Sequence, residues 1–329
     1  MVNYGGLPKA FSSFASSRVA VLPIPYDGTS TWGKGADQGP AALLEASANM
    51  ELYDIETDSE VYKLGICTVE PVTENRSPEA MVKEGQKRVK ELLDADKFVV
   101  TLGGEHSISA GPIYAHAKKY PQMSVLQIDA HSDLRPEYLG SKYNHACIMA
   151  RAREVATVVQ VGIRSMDVSE KPYLTNVFFA EPVTAKSSTS SGEQQTHWDS
   201  IQNPGWERRA IDCLTENVYI TIDLDAFDPS IMPSTGTPEP GGMDWKQVTG
   251  LLKQVSAAKK IIGFDVVELA PNPHNKAPDF LAAKLIYVLL SQICQKPRAK
   301  DGDVVFEHDQ KSARAEAGRL RMRTSDIQR

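Results

Sequence analysis

The sequence has few cysteines, and none of them form a close pair. The chain of 329 residues contains four, Cys67, Cys147, Cys213 and Cys294. No CxxC pattern occurs, which argues against a thiolate zinc site, and the scattered spacing argues against a disulfide framework. We therefore expect reduced thiols in a cytoplasmic protein.

Long apolar runs and phosphate-binding loops are also missing. No run of 18 apolar residues occurs, and the N-terminus lacks the apolar core of a signal peptide, so no membrane span or membrane partner is expected. The G-x-x-x-x-G-K pattern of a phosphate loop is absent. A formal net charge of -6 argues against a nucleic-acid partner and is compatible with a small cationic ligand.

Short apolar runs alternate with amphipathic segments along most of the chain. Runs at 18–24, 97–102 and 124–128 have the composition of buried strands, and 77–94 has the pattern of an amphipathic helix. This alternation predicts a three-layer α/β/α fold with a mostly parallel central sheet. No break in composition divides residues 18–295, so we expect a single domain there.

Three segments differ from this pattern. Residues 1–17 are polar and rich in serine, and they are predicted to form an N-terminal surface arm. Residues 184–209 contain a Ser/Gly/Thr tract and are predicted to be a flexible insertion. Residues 296–329 are charged and poor in aromatics, which predicts a flexible C-terminal tail.

One predicted strand is followed by three residues of metal-ligand type. Asp129, His131 and Asp133 come directly after the run at 124–128. In an extended chain, residues at i, i+2 and i+4 project to one side. Two carboxylates so placed repel each other unless a cation lies between them, so the pattern favours a divalent metal site. The alternative is a strand that ends in a polar loop with a capping aspartate.

Two further strands end in similar residues. The run at 97–102 leads into Gly-Gly-Glu-His-Ser, which contains His106. The run at 217–222 ends in Asp223-Leu224-Asp225. The carboxyl ends of the strands line the ligand crevice of an open α/β sheet, so three such sets favour one shared site.

These motifs resemble those of the arginase/agmatinase (ureohydrolase) family, in the same order. They are Gly-Gly-Glu-His-Ser, Asp-Ala-His-Ser-Asp and Thr-Ile-Asp-Leu-Asp-Ala-Phe-Asp-Pro, and the similarity extends over residues 18–295. The resemblance implies two divalent ions bridged by Asp129 and Asp223. The other implied ligands are His106 and Asp133 for one ion, and His131 and Asp225 for the other. Oxygen and imidazole donors suit two Mn²⁺ ions, although other divalent ions are possible.

The resemblance also implies the chemistry, which is hydrolysis of a guanidinium group. Glu268 would bind the planar cation, which pairs well with a carboxylate. His145 would carry protons between the site and solvent, since an imidazole titrates near neutral pH. Asp133 would pass a proton to the departing amine. The alternatives are that Glu268 is an ordinary carboxylate at a strand end and that His145 is a surface histidine at the start of a helix.

The sequences of several loops resemble those of agmatinases more than those of arginases, for example Pro-Tyr-Asp-Gly-Thr-Ser and Thr-Pro-Glu-Pro-Gly-Gly. This predicts cleavage of agmatine to putrescine and urea. Guanidinobutyrate or arginine stays an alternative, with Arg135 or Arg164 receiving the acidic tail. A non-catalytic metal-binding protein is a second alternative. Relatives form trimers or hexamers, so the resemblance implies a homo-oligomer.

The remaining histidines fit other roles. His116, His197 and His308 are predicted to be solvated, and His274 is a weak candidate for the rim of the pocket. Asp228, which precedes a proline, is predicted to form a turn rather than to bind a metal ion.

Overall fold

One parallel sheet occupies the centre of the protein. The structure is a computed structural model that describes residues 2–182 and 197–295. In these residues the sheet has nine strands in the order β2-β1-β3-β9-β8-β4-β5-β6-β7. The strands are β1 (Val19–Ile24), β2 (Ile66–Thr68), β3 (Phe98–Gly103), β4 (Ser124–Ile128), β5 (Thr157–Ile163), β6 (Asn176–Phe179), β7 (His197–Ser200), β8 (Asn217–Asp223) and β9 (Lys260–Val267).

Helices cover both faces of this sheet. Those described are α1 (Lys9–Ser12), α2 (Gly39–Ser47), α3 (Pro78–Asp94), α4 (Ala110–Lys119), α5 (Ile148–Ala152), α6 (Trp206–Asp212), α7 (Trp245–Ala258) and α8 (Ala277–Cys294). The core on one face contains residues of α2, α6, α7 and α8. The core on the other face contains residues of α3, α4 and α5. The three-layer α/β/α prediction is confirmed.

The central strands are largely apolar on both sides because helices cover both faces of the sheet. In β3, Val99 belongs to one core and its neighbour Val100 to the other, as the alternation of side chains along a strand requires. The helix starts follow capping rules. Ser77 accepts a hydrogen bond from the backbone N–H of Ala80 at 3.1 Å at the start of α3, and Asp244 and Gln247 form a capping box on α7.

The sheet order brings four strand ends together in the middle of the sheet. Strands β3, β9, β8 and β4 are consecutive neighbours. Ile128 of β4 pairs with Ile222 of β8, and Asp223 pairs with Val267 of β9. The carboxyl ends of these strands are therefore level, and the residues that follow them meet at one edge of the sheet.

The prediction of a surface arm at residues 1–17 is wrong for its first part. Tyr4 is fully buried, and its hydroxyl donates to the carbonyl oxygen of Ala283 in α8 at 2.7 Å. The backbone N–H of Gly5 donates to Ser47 Oγ at the end of α2, at 2.9 Å. An aromatic ring within a polar segment has enough apolar surface to anchor the segment in the core.

The predicted flexible insertion is also wrong in its second half. His197–Ser200 forms the edge strand β7, and α6 begins at Trp206. Trp206 and Ile211 are buried. These apolar side chains therefore make the second half of the segment part of the core. Residues 183–196 and the predicted tail at 296–329, with His308, lie outside the described residues.

Helix α8 has the length and composition of a possible membrane span. Most of it is buried inside the protein, where it packs against α2 and α7. The central helix of a globular core meets the same criterion, because it too is apolar on nearly every side. The helix therefore gives only weak support for a membrane location.

Candidate metal centre

Four acidic or imidazole side chains converge at the end of the sheet. His106 follows β3 and begins a short 3-10 turn, His106–Ser109. Its Nδ1 atom lies 3.1 Å from Asp129 Oδ2, 3.2 Å from Asp133 Oδ2 and 3.3 Å from Asp223 Oδ2. All four side chains are buried. We call these residues the first cluster.

A second cluster lies beside the first and shares one residue with it. His131 Nδ1 lies 2.9 Å from Asp225 Oδ2 and 3.7 Å from Asp129 Oδ1. Asp129 therefore presents one carboxylate oxygen to each cluster. The sets His106–Asp129–Asp223 and Asp129–His131–Asp225 each have ligand atoms within 4.8 Å of one another.

The backbone after β4 and β8 is not the extended chain on which the prediction from the sequence was based. Strand β4 ends at Ile128, and Asp133 has a φ of 51°, in the left-handed region. Asp225 lies in the 3-10 turn Leu224–Ala226, where its backbone N–H donates to Asp223 Oδ1 at 2.8 Å. The predicted residues do come together, but turns rather than strand alternation bring Asp133 and Asp225 into place.

Buried amides hold the shared aspartate in position. Gln127 Nε2 donates to Asp129 Oδ2 at 2.7 Å, and the backbone N–H of His131 donates to Asp129 Oδ1 at 2.6 Å. Gln160 Nε2 in turn donates to Gln127 Oε1 at 2.6 Å. Neither glutamine is among the residues predicted from the sequence, although Gln127 lies two residues before Asp129 and so on the same side of the chain.

A similar chain of hydrogen bonds orients His106. Its Nε2 lies 2.8 Å from Thr221 Oγ1, and the Thr221 hydroxyl donates to Asp265 Oδ1 at 2.6 Å. Because that hydroxyl proton is used by Asp265, Thr221 accepts from Nε2–H, so in the neutral imidazole of His106 the lone pair lies on Nδ1. Such partners commonly fix the tautomer of metal-binding histidines. Although burial lowers the pKa of His106, the neighbouring carboxylates raise it well above its usual value without a metal ion.

The donor set fits divalent cations. Nδ1 of His106 is buried and has no hydrogen-bond partner of acceptable geometry, although three carboxylate oxygens lie within 3.3 Å of it. A nitrogen lone pair that faces three anionic oxygens is repelled by them unless a proton or a metal cation lies between. Carboxylate and imidazole donors without thiolate suit Mn²⁺ among the transition metals.

The pKa values of these groups show how much negative charge is buried here. Burial and the charges of Asp133 and Asp225 raise the pKa of Asp129 to about 7. Burial and the neighbouring carboxylates also raise the pKa of Asp223 well above its usual value. Burial alone would lower the pKa of His131, but Asp225 and Asp129 raise it to about 11. The site attracts protons because it lacks cationic partners.

A pocket of about 270 Å³ opens onto both clusters. His145 and Glu268 line it together with the metal-ligand candidates. Glu268 follows β9, has a φ of 67°, and accepts a hydrogen bond from the backbone N–H of His106 on Oε1 at 2.6 Å. Burial and the charge of Glu105 raise the pKa of Glu268 well above its usual value. Strained backbone at both Asp133 and Glu268 is typical of functional positions.

His145 is half-buried in the pocket wall, at the start of the 3-10 turn His145–Cys147 before α5. Burial lowers the pKa of its imidazole. His274 is exposed and is not among the residues that line the pocket. The prediction for His116 is wrong: it is fully buried beside Tyr219, and burial lowers its pKa to about 4.

Two polar residues near the pocket support the backbone instead. Arg164 donates to the carbonyl oxygens of Asp225 at 2.6 Å and Glu239 at 2.8 Å. Asp228 accepts from the backbone N–H groups of Ser230 and Gly242, at 2.9 and 3.1 Å. The prediction that Asp228 forms a turn is confirmed. The guanidinium of Arg164 is hydrogen-bonded to backbone carbonyl oxygens, including that of Glu239.

Comparisons with known proteins agree with this geometry. The model of the arginase family matches residues 17–291. An N(1)-aminopropylagmatine ureohydrolase from Synechocystis is 36% identical over 305 residues, which cover 89% of this chain and 94% of that protein. An agmatinase from Pyrococcus horikoshii is 32% identical over 273 residues, covering 82% and 90%. The solved agmatine ureohydrolase of Thermoplasma volcanium has a TM-score of 0.74 at 27% identity, covering 90% of this chain and 95% of that one.

The fold and these relatives define a hydrolase of guanidino compounds. The chain belongs to the arginase family, in which catalysis depends on a binuclear metal centre. An enzyme is therefore favoured over the non-catalytic protein that the sequence left open. Membership of the family does not identify which guanidino compound is cleaved.

The buried charges predict how pH affects the metal-free protein. Because the pKa of Asp129 is higher in the folded than in the unfolded state, protonation of Asp129 stabilises the folded state. This stabilisation is complete below about pH 4 and is lost as pH rises through 7. The raised pKa of His131 stabilises below about pH 6.5, and this is lost towards pH 11. The melting temperature of chelator-treated protein should therefore fall from pH 5 to pH 8. Mn²⁺ should raise it more at pH 8, because the metal competes with protons. An equal Mn²⁺ effect at both pH values, in buffers of matched ionic strength, would contradict this expectation.

Proposed function

We propose that this protein hydrolyses agmatine, or a closely related cationic guanidino compound, to urea and an amine. His106 and Asp133 would hold one Mn²⁺ ion, and His131 and Asp225 the other. Bridging by Asp129 is supported by its two oxygens, which face different clusters. Bridging by Asp223 rests on the family resemblance. Bound divalent ions would supply a water of lowered pKa and stabilise developing negative charge.

Glu268 is the group that would receive the guanidinium. Its carboxylate is buried, and Oε1 is already fixed by the backbone N–H of His106. Glu268 also lines the pocket, and Oε2 accepts no hydrogen bond from the described residues. A buried carboxylate with one fixed and one open oxygen suits a planar cation with several N–H donors.

His145 and Asp133 would move protons during the reaction. Because burial lowers the pKa of His145, the imidazole is neutral near pH 7 and is able to accept a proton. Asp133 lies at the entrance side of the first cluster, 7% exposed, and would give a proton to the departing amine. Both roles follow the resemblance and fit the positions of the side chains in the pocket.

The charge of the pocket is the observation that carries the choice of substrate. Six carboxyl groups line it: Asp133, Asp167, Glu170, Asp223, Asp225 and Glu268. Among the described lining residues, Arg135 is the one arginine or lysine. It stacks on Tyr138 at 4.7 Å and lies 3.6 Å from Asp167. Arg164 is bound to carbonyl oxygens and Arg135 is paired with Asp167, so agmatine fits better than arginine or guanidinobutyrate.

N(1)-aminopropylagmatine is the second candidate substrate. A relative 36% identical to this chain carries that specificity in its name. Two partly exposed carboxylates lie near the pocket and would attract a further ammonium group. They belong to Asp167, and to Glu239, whose Oε1 lies 3.7 Å from His131 Nε2. These two carboxylates are compatible with either substrate.

Two broader expectations accompany this function. A homo-oligomer, a trimer or hexamer by family resemblance, would cover exposed apolar side chains such as Trp32 and Val168, which are 82% and 81% exposed. A cytoplasmic location fits the unpaired cysteines of the described chain. Sedimentation of the purified protein would measure its oligomeric state.

The first functional prediction concerns substrate charge. Mn²⁺-loaded protein should release urea from agmatine or N(1)-aminopropylagmatine with a kcat/KM at least about tenfold above that for guanidinobutyrate or arginine, equivalent to about 1.4 kcal/mol. The reason is the negative charge of Asp167, Glu170 and Glu268, which remains in the pocket after two divalent ions balance the four ligand aspartates and which Arg135 offsets only in part. Faster cleavage of either carboxylate-bearing compound would reverse the choice of substrate.

A second prediction tests the guanidinium site. Glu268→Gln keeps the size of the side chain but removes its charge, so kcat/KM for agmatine should fall at least about a hundredfold, or roughly 2.7 kcal/mol. Metal content should stay at the parental value, because Glu268 is not proposed as a ligand. Glu45→Gln, on the exposed face of α2, is the matched control and should keep parental activity. Parental kcat/KM in Glu268→Gln would remove this residue from the site.

A further inference from the structure

A buried carboxylate beside the metal clusters has no part in the reaction proposed above. Glu105 is fully buried between Gly104 and His106. Among the described residues, no lysine, arginine or histidine forms an ion pair with it. Instead it accepts hydrogen bonds on Oε1 from Thr29 Oγ1 at 2.9 Å and Ser107 Oγ at 2.8 Å, and on Oε2 from the Ser107 backbone N–H at 2.8 Å. Burial raises the pKa of Glu105 to about 7, and the three donors oppose this shift because they favour the ionised carboxylate. The ionised carboxylate accepts from all three donors.

The hydroxyl of Thr29 connects this carboxylate to His145. Thr29 Oγ1 lies 3.1 Å from His145 Nδ1 and 2.9 Å from the backbone nitrogen of His145. A hydroxyl has one proton and two lone pairs. Since its proton goes to Glu105, both lone pairs accept, one from the backbone N–H and one from Nδ1–H of the same histidine.

This arrangement selects one tautomer of the neutral imidazole. The proton lies on Nδ1, which faces Thr29, and Nε2 carries the free lone pair. The ring itself lines the pocket that contains Asp133 and Glu268. We infer that Thr29 and Glu105 are positioning residues that hold His145 with Nε2 ready to accept a proton from the pocket. This inference rests on the proposed role of His145 as the proton carrier.

Backbone contacts keep the three residues in register. The backbone N–H of Glu105 donates to the carbonyl oxygen of Tyr26 at 2.8 Å. A Cβ atom at Gly104 would lie only 1.9 Å from that same oxygen, so the two segments meet in a way that only glycine allows. Asp27 accepts from the backbone N–H of Gly35 at 2.8 Å and closes the loop that carries Thr29.

The network also stabilises the charged form of the histidine. When Nε2 takes a proton, Nδ1–H continues to donate to Thr29, and the imidazolium faces the Glu105 carboxylate through one hydroxyl. A carboxylate acts on a catalytic histidine in the same two ways in the Ser-His-Asp triad, by fixing the tautomer and by stabilising the imidazolium. Here a threonine hydroxyl stands between the two groups.

Removing the hydroxyl tests the inference. Thr29→Val keeps the shape but removes the acceptor, so kcat for agmatine should fall at least about tenfold, since correct proton transfer contributes about a hundredfold or more. KM and Mn²⁺ content should stay near parental values. Thr29→Ser restores the hydroxyl and should recover most of the loss. Thr249→Val, on α7, removes a hydroxyl that donates to the carbonyl oxygen of Trp245 in the same helix and should leave kcat unchanged.

A second background separates a positioning role from a general structural one. In His145→Gln, adding Thr29→Val should lower kcat no further, because the hydroxyl acts through the histidine that is already gone. An equal loss in both backgrounds, or parental kcat in Thr29→Val alone, would overturn the inference. Parental kcat in His145→Gln would instead contradict the proposed function of His145.

A spectroscopic measurement decides the tautomer without any assay. The ring nitrogens of His145, observed by ¹⁵N NMR in unmutated protein loaded with diamagnetic Zn²⁺, should show a protonated Nδ1 and a bare Nε2 in the neutral form. A proton on Nε2 would overturn the inference even if the enzyme is active. If no guanidino compound yields urea, the proposed function fails, and this measurement still tests the link from Glu105 through Thr29 to His145.

Discussion

Mutual repulsion among buried carboxylates is the constraint on which the rest of this site depends. Asp129, Asp133 and Asp223 surround Nδ1 of His106 at 3.1–3.3 Å, and Asp225 faces a second imidazole, that of His131. Holding this much charge of one sign in a buried volume costs several kcal/mol per ion unless cations compensate it. The raised pKa values of Asp129 and His131 express the same deficit of positive charge, and divalent ions, each with two positive charges, would relieve it. The pocket stays electronegative beyond the clusters, which favours a cationic substrate.

The sheet order makes this concentration of charge possible. Strands β3, β9, β8 and β4 are neighbours, so His106, Glu268, Asp223 and Asp129 project from four adjacent strand ends. The chain runs from β3 to β4 across a gap that β8 and β9 fill later, and ligand crevices in open α/β sheets lie where the strand order changes in this way. A side-chain amide then fixes Asp129, a hydroxyl fixes His106, and backbone N–H groups fix Asp223 and Asp225. Rigid support of this kind lets a repulsive cluster keep one geometry before the ions bind.

Much of this architecture could be predicted from the sequence, because apolar runs, caps and alternating ligands are local signals. The α/β/α fold, the cap at Ser77 and the meeting of the three ligand motifs follow from such signals. Other features depend on contacts between distant residues. No local pattern reveals that Tyr4 packs beneath α8, or that Thr29, Glu105 and His145 meet. Asp133 joins the first cluster through a left-handed backbone rather than through strand alternation, so the pattern predicted the right residue from an incomplete geometry.

The most direct test of the account is a count of bound metal. Protein dialysed against excess Mn²⁺ and then freed of loose ions should retain two ions per chain by elemental analysis, and Asp129→Ala should retain none, because it removes the residue shared by both clusters. Circular dichroism would verify that both proteins are folded. One ion or none in the folded parent protein, or two ions in Asp129→Ala, would contradict the claim that paired divalent cations compensate the buried charge.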